Sequence, residues 1–181
     1  MQPSSKQVSG KPLRAVVALG SNRCHGHHGR PPAILKAATE ALEAGGFRVM
    51  TRAPIIETAP VGPSHRRFAN SAVLGLWQGS PQELLLCCKQ IEEDFGRRRS
   101  RRWAARVLDL DLIAVEQLEI RARGFILPHY AMAERDFVLT PMAALWPGWR
   151  HPRLHLTVRQ MLARIRKSKP VRDRSPVSAC H

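Results

Sequence analysis

Arg102-Trp103-Ala104-Ala105-Arg106-Val107-Leu108-Asp109-Leu110-Asp111-Leu112-Ile113 reads as an arginine-bearing loop running into a strand. Side chains alternate faces along a strand. Val107, Asp109, Asp111, Ile113 and Val115 therefore share one face, and Leu108, Leu110, Leu112 and Ala114 the other. Two acids two residues apart converge on a hard cation that prefers oxygen ligands, and arginines just upstream suit phosphate. Carboxylates, Mg²⁺ and arginine together point to phosphoryl-group chemistry. Taken alone, the acid pair also fits a solvated strand face, and the arginine run fits a surface for nucleic acid. The rest of the chain separates these readings.

Working outward, Leu13–Leu19 is a buried strand that ends at Gly20-Ser21-Asn22. A His- and Gly-rich loop follows, then helical periodicity over Ala33–Ala44 stopped by Gly45-Gly46. Phe47–Thr58 is strand-like with an interruption at Pro54, and Ala59-Pro60-Val61-Gly62-Pro63 is a loop stiffened by prolines. Phe68–Trp77 is the next strand. Ser80-Pro81-Gln82-Glu83 is a capping box with proline at the first helical position, opening a helix to about Phe95 with Gly96 as terminator. Beyond the Asp-bearing strand, Ala133–Leu145 is partly helical around Pro141, and Thr157–Gln160 is a second capping box opening a helix to about Arg166. The order strand, helix, strand, strand, helix, strand is the split βαβ pattern. The expected fold is α+β: a ferredoxin-like βαββαβ core with helices packed on the sheet and a C-terminal helical extension. Residues 1–12 and 167–181 are expected to be tails flanking one domain over 13–166.

Composition narrows the class. A chain of 181 residues with 44% hydrophobic content suits one soluble domain with a sizeable core. No apolar run reaches bilayer length, and the polar start lacks a secretory h-region. Cys24, Cys87, Cys88 and Cys180 show neither metal-finger spacing nor a disulfide framework, which points to a reducing, cytoplasmic setting. Twenty-nine Lys+Arg against 14 Asp+Glu give a net charge of +15, so the chain attracts polyanions without saying which.

Several separated motifs agree in order with one family. They are Ala18-Leu19-Gly20-Ser21-Asn22, Glu57-Thr58-Ala59-Pro60-Val61-Gly62, Phe68-Ala69-Asn70-Ser71-Ala72-Val73, Ile91-Glu92 with Gly96-Arg97, the Arg102–Asp111 string, Leu127-Pro128-His129-Tyr130, and Arg135-Asp136-Phe137-Val138-Leu139. Through them the chain resembles the 6-hydroxymethyl-7,8-dihydropterin pyrophosphokinases of folate biosynthesis over roughly Arg14–Arg166. The resemblance implies transfer of the terminal pyrophosphoryl unit of ATP to the hydroxymethyl group of the reduced pterin, with release of AMP. It implies that Asp109 and Asp111 hold two Mg²⁺ ions and that Arg97 and Arg106 act on the transferring phosphates. For ATP it implies Lys89, Glu92, Arg99, Arg102, Leu112 through its backbone, His129, Tyr130 and Arg135. For the pterin it implies Thr58, Ala59, Val61, Phe68, Asn70, Trp103 and Phe137.

Two departures stand out: Ala104-Ala105 replaces a common Gly-Pro after the tryptophan, and Ala59 stands where proline is common. The first changes loop stiffness and neither removes a ligand, so an active enzyme is expected. The expected partners are the two small-molecule substrates, with no specific nucleic acid, no membrane and a monomeric state. The chain leaves no room for a dihydropteroate synthase or aldolase partner, so one function is expected. Cys24-His25-Gly26-His27-His28 offers soft-metal ligands, but adjacent loop ligands rarely close a tetrahedral site, and a surface loop is expected there. The competing class is an RNA-binding ferredoxin-like module. It would present adjacent aromatics on central strands, and this chain has one tyrosine and no such string.

Overall fold

The computed structural model describes residues 10–58, 67–96 and 107–168. In chain order the elements are β1 (Leu13–Ser21), α1 (Pro31–Ala44), β2 (Arg48–Arg52), β3 (Ile56–Thr58), β4 (Phe68–Trp77), α2 (Pro81–Asp94), β5 (Asp109–Val115), β6 (Ile120–Ala122), β7 (Phe125–Leu127), α3 (Asp136–Leu145) and α4 (Val158–Ser168). The main sheet has the order β2-β4-β1-β5, with β3 pairing the other part of β4, and β6-β7 form a separate hairpin. Every pairing is antiparallel. With β2 and β3 counted as one broken strand, this is the expected ferredoxin-like arrangement.

Local chemistry explains most boundaries. Ser80 Oγ accepts from Glu83 N at 3.2 Å while Glu83 Oε2 accepts from Ser80 N at 2.7 Å, closing the capping box of α2. The same reciprocal pair forms at α4 between Thr157 and Gln160, at 2.8 and 3.2 Å. Gly46, at φ 96°, takes the left-handed conformation that lets the chain leave α1.

Two cores flank the sheet. On one face α1 and α2 pack over Ala15, Val17, Leu19, Val73 and Leu110. On the other, α3 and α4 pack over Val16, Ala72, Leu74 and Ile113. The C-terminal extension is therefore the second cover of the sheet. Its last helix reaches Ser168, two residues past the sequence expectation.

Phe47–Thr58 breaks around Pro54 as expected, into β2 and β3, and β2 carries a register shift opposite β4 between Val49 and Thr51. The structure corrects the sequence reading in two places. It adds the β6-β7 hairpin, whose three-residue strands are too short to show a period. Strict alternation along β5 also fails beyond Ile113. Val16 pairs with Ala114 and Val17 with Leu112, so a bulge skips Ile113. Ile113 and Ala114 both join the α3/α4 core, and Val115 turns to the α1/α2 core. Asp109 and Asp111 lie before the bulge and keep their common face.

Candidate active site

The centre of the site is a patch of three strands. On β1, Gly20 pairs with Asn70 of β4 on one side and Asp109 of β5 on the other, and Ala18 pairs with Ala72 and Asp111. A Cβ on Gly20 would lie 3.4 Å from Asn70 Oδ1 and 4.0 Å from Asp109 Cβ. Alternation carries Phe68 and Asn70 onto the same face as Asp109 and Asp111. An aromatic-plus-amide pair and an acid pair thus border a floor of small residues, about 10 Å apart at two strand spacings.

Each group is oriented by its neighbours. Asn70 is 6% exposed and its Nδ2 donates to Thr58 Oγ1 at 2.8 Å, which aims Oδ1 toward Gly20. Thr58 is itself paired with Phe68 across β3 and β4. Glu92, 0% exposed, accepts from Leu110 N at 2.8 Å through Oε1 and from Lys89 Nζ at 3.0 Å through Oε2. A fully buried carboxylate from α2 thereby holds the N–H of Leu110, the one residue between the two site acids. Burial pushes its carboxyl up, and the Leu110 N–H and the Lys89 ammonium pull the other way.

Asp111 is raised by burial first and by the charge of Asp109 second, while His129, Lys89 and Arg135 oppose both. Those five side chains therefore share one electrostatic neighbourhood. His129 is held by its own N–H to Ile113 O at 2.8 Å, at the β5 bulge. Its Nδ1 accepts from Ala131 N at 3.3 Å, so the neutral ring carries its proton on Nε2. Burial lowers the His129 pKa, and the Asp111 charge is the leading opposing influence. Tyr130 stacks obliquely on His129 at 4.7 Å and is 72% exposed. Arg135 precedes α3 with its guanidinium 5.8 Å from the Phe137 ring centroid. Phe137 opens α3, which packs on β3 and β4.

Leu112 points into the α1/α2 core, so only its backbone is left for a ligand. Ala59, Val61, Arg97, Arg99, Arg102, Trp103 and Arg106 lie outside the described residues. Among the described residues no three His, Cys, Asp or Glu side chains gather to hold a metal. The Cys24–His28 segment forms a small loop closed by a bridge between His25 and Gly29.

Three features escaped the sequence reading. Gly20 and Ala18 form the floor, which needs the strand register to be seen. The Glu92 bond to Leu110 is a contact between distant elements. Asn22, just beyond β1 and 3% exposed, has an Oδ1 without a hydrogen-bond partner among the described residues. The Gly-Ser-Asn string was its only sequence signal.

The family model described as 7,8-dihydro-6-hydroxymethylpterin-pyrophosphokinase matches residues 16–147. A 2-amino-4-hydroxy-6-hydroxymethyldihydropteridine pyrophosphokinase of Methylorubrum extorquens is 39% identical over 136 residues, covering 74% of this chain and 83% of that protein. The protein of the same name from Bacillus subtilis is 37% identical over 133 residues, covering 72% and 77%. The wild-type HPPK-DHPS crystal structure of Plasmodium falciparum superposes with a TM-score of 0.63 at 12% identity, covering 85% of this chain. This chain spans 45% of that longer protein, and the likeness there is one of fold.

Proposed function

The chain belongs to the 7,8-dihydro-6-hydroxymethylpterin-pyrophosphokinase family, and from that premise we propose how its residues divide the work. It transfers pyrophosphate from ATP to the hydroxymethyl group of 6-hydroxymethyl-7,8-dihydropterin, releasing AMP, a step of folate biosynthesis. The observation that carries the assignment of roles is the shared face: Phe68 and Asn70 on β4, Asp109 and Asp111 on β5, with Gly20 and Ala18 of β1 between them.

The pterin lies on the β4 side. Phe68 and Phe137 sandwich its ring, Asn70 Oδ1 and the Thr58, Ala59 and Val61 backbone take its polar edge, and Trp103 covers it. The floor of Gly20 leaves room for the hydroxymethyl arm to reach the acids.

Two Mg²⁺ ions fit Asp109 and Asp111. Burial and the charge of Asp109 disfavour Asp111 as a bare anion, and magnesium sites commonly take one or two carboxylates and complete their shell with phosphate oxygens and water. When bound, the ions neutralise the triphosphate and lower the pKa of a coordinated hydroxyl. The remaining catalysis is positioning and charge stabilisation by the protein. Arg97 and Arg106 stabilise charge on the transferring group through bidentate contacts. Lys89, Arg99, Arg102, Tyr130 and Arg135 hold the nucleotide, His129 donates through Nε2–H, Leu112 meets the adenine through its backbone, and Glu92 borders the site while seating Leu110.

Residues 13–166 form the working unit of this reading, with 1–12 and 167–181 outside it. The enzyme acts as a monomer on small molecules without sequence-selective nucleic acid. A cytoplasmic location is supported by the free thiols Cys24, Cys87 and Cys88. No helix among the described residues is long and apolar enough to cross a membrane.

The test is AMP formation from ATP with Mg²⁺ present. It should depend strictly on 6-hydroxymethyl-7,8-dihydropterin and vanish in Asp109→Ala and Asp111→Ala. Near-normal turnover in either variant at saturating Mg²⁺ would remove the metal roles proposed for these acids.

A further inference from the structure

β1 hands the floor of the site one more polar group. Ala18 and Gly20 share the face that carries Phe68, Asn70, Asp109 and Asp111, and alternation brings Asn22 to that face next. Ser21 pairs with Ala69, so the same register sets Asn22 beside Phe68. Asn70 and Asp109, the two partners of Gly20, are then its diagonal neighbours at about 7–8 Å. Gly20 itself is the adjacent position on this face, about 7 Å back along the strand. It has no side chain to separate Asn22 from the space between Asn70 and Asp109.

Among the described residues Asn22 is the exception in hydrogen bonding. Of the other buried polar side chains, Ser21 Oγ donates to Arg23 O at 3.5 Å, Thr39 Oγ1 to Leu35 O at 2.9 Å and Ser71 Oγ to Ala53 O at 2.9 Å. Asn70, Glu92 and His151 are bonded through Thr58, Leu110 and Arg153. Asn22 is 3% exposed, and its Oδ1 has no partner among the described residues. A buried acceptor without a donor is unfavourable. It adds nothing to the free fold, so its use lies in a state where a donor arrives. The side chains around it on this face supply none. Phe68 and Val107 are apolar, Asn70 Nδ2 is committed to Thr58, and a carboxylate at Asp109 only accepts.

We propose that Asn22 orients the attacking hydroxyl: its Oδ1 accepts a hydrogen bond from the hydroxymethyl O–H of the bound pterin. This rests on the pyrophosphokinase reading above, in which that arm crosses Gly20. In the free chain Oδ1 is closed off from solvent, and the amide turns on its broad terminal torsion to meet the arm. With its hydrogen held by Asn22, the hydroxyl oxygen directs its lone pairs across the floor toward Asp109 and Asp111. Asn22 takes no proton, because a carboxamide is too weak a base, and its part is alignment.

The test is calorimetry on the full chain with 6-hydroxymethyl-7,8-dihydropterin and with its 6-methyl analogue, each beside Mg²⁺ and a non-hydrolysable ATP analogue. The unsubstituted chain should favour the hydroxymethyl compound by about tenfold or more. Asn22→Leu is close in volume and has no acceptor. In it that preference should shrink by about tenfold, turnover should fall by about tenfold or more, and KM for ATP should hold. Its melting temperature without ligand should match or exceed the parent's, because the group removed is an unmet acceptor. Asn22→Ala should lose the same preference without adding bulk. In the unsubstituted chain the Asn22 carboxamide carbon signal should move when the hydroxymethyl compound binds and stay when the methyl compound binds. A preference equal in the parent and both variants overturns the proposal. So does an Asn22 signal that answers both compounds alike, whatever the variants do. If the unsubstituted chain binds neither compound, the pyrophosphokinase reading falls and this inference with it. If it binds the hydroxymethyl compound and the preference survives in both variants, this inference fails alone.

Discussion

Replacing Glu92 by alanine tests the support of the acid pair most directly. The carboxylate is fully buried and holds Leu110 N at 2.8 Å and Lys89 Nζ at 3.0 Å. Its loss leaves the Leu110 N–H buried without that acceptor, at about 1–3 kcal/mol. The Lys89 pair, with the lysine 43% exposed, adds only about 0–1 kcal/mol. With a small cavity the expected loss is roughly 2–4 kcal/mol, or roughly 5–15 °C in melting temperature for a domain of this size. Leu110 lies between Asp109 and Asp111, so turnover should fall by about 10- to 100-fold as the carboxylates lose their aim. Glu92→Gln retains the acceptor for Leu110 and forfeits the ion pair, so it should recover most of the stability. The pH dependence has a definite sign. Burial raises the Glu92 pKa, so the folded chain binds this proton more tightly than the unfolded one. The cost of ionising it appears as pH rises above 4.5, and Glu92→Gln should gain on the parent chain over that rise. Thermal melts from pH 4 to 8 and initial rates of AMP formation measure all three quantities. An alanine variant within about 0.5 kcal/mol of the parent, or a glutamine variant as unstable as alanine, would refute the reasoning.

Three further outcomes follow from the same geometry. Asp111 is raised by burial and by Asp109, so Asp111→Asn should become more stable relative to the parent as pH rises above 3.8 in chelator, and Mg²⁺ with ATP should reverse the order; melts with and without the metal check this. Gly20→Ala should fold, since the new Cβ meets Asn70 Oδ1 at an ordinary 3.4 Å, but it occupies the floor, so pterin affinity should drop roughly tenfold with ATP affinity unchanged by calorimetry. Phe137→Ala should weaken pterin binding about tenfold or more through lost stacking, and a salt series should leave the remaining pterin affinity flat while any RNA binding falls steeply with salt.

Much of this protein is written in short-range pattern. The two capping boxes, the glycine stop after α1, the buried β1 and the alternation that brings Asp109 and Asp111 to one face all depend on residues within a turn or two of each other. Their chemistry acts before any tertiary contact exists, so they are legible one segment at a time. The motif order was enough to read the family and hence the reaction. What the chain alone leaves open is whatever depends on register between distant segments. The bulge at Ile113 reassigns Val115 because β5 must pair with β1, a choice made by packing on two cores. Gly20 acquires its meaning from Asn70 and Asp109, which lie fifty and eighty-nine residues away and meet only through the antiparallel register. Glu92 reads as a solvated helix acid until α2 packs on β5 and buries it against Leu110. The histidine loop is the surface loop its sequence suggests, but only the fold places Phe95 beneath the His28 ring, 4.4 Å away. Periodicity encodes which face a side chain takes, but only the tertiary fold supplies the neighbour on that face, and the neighbour sets its hydrogen bonds and charge.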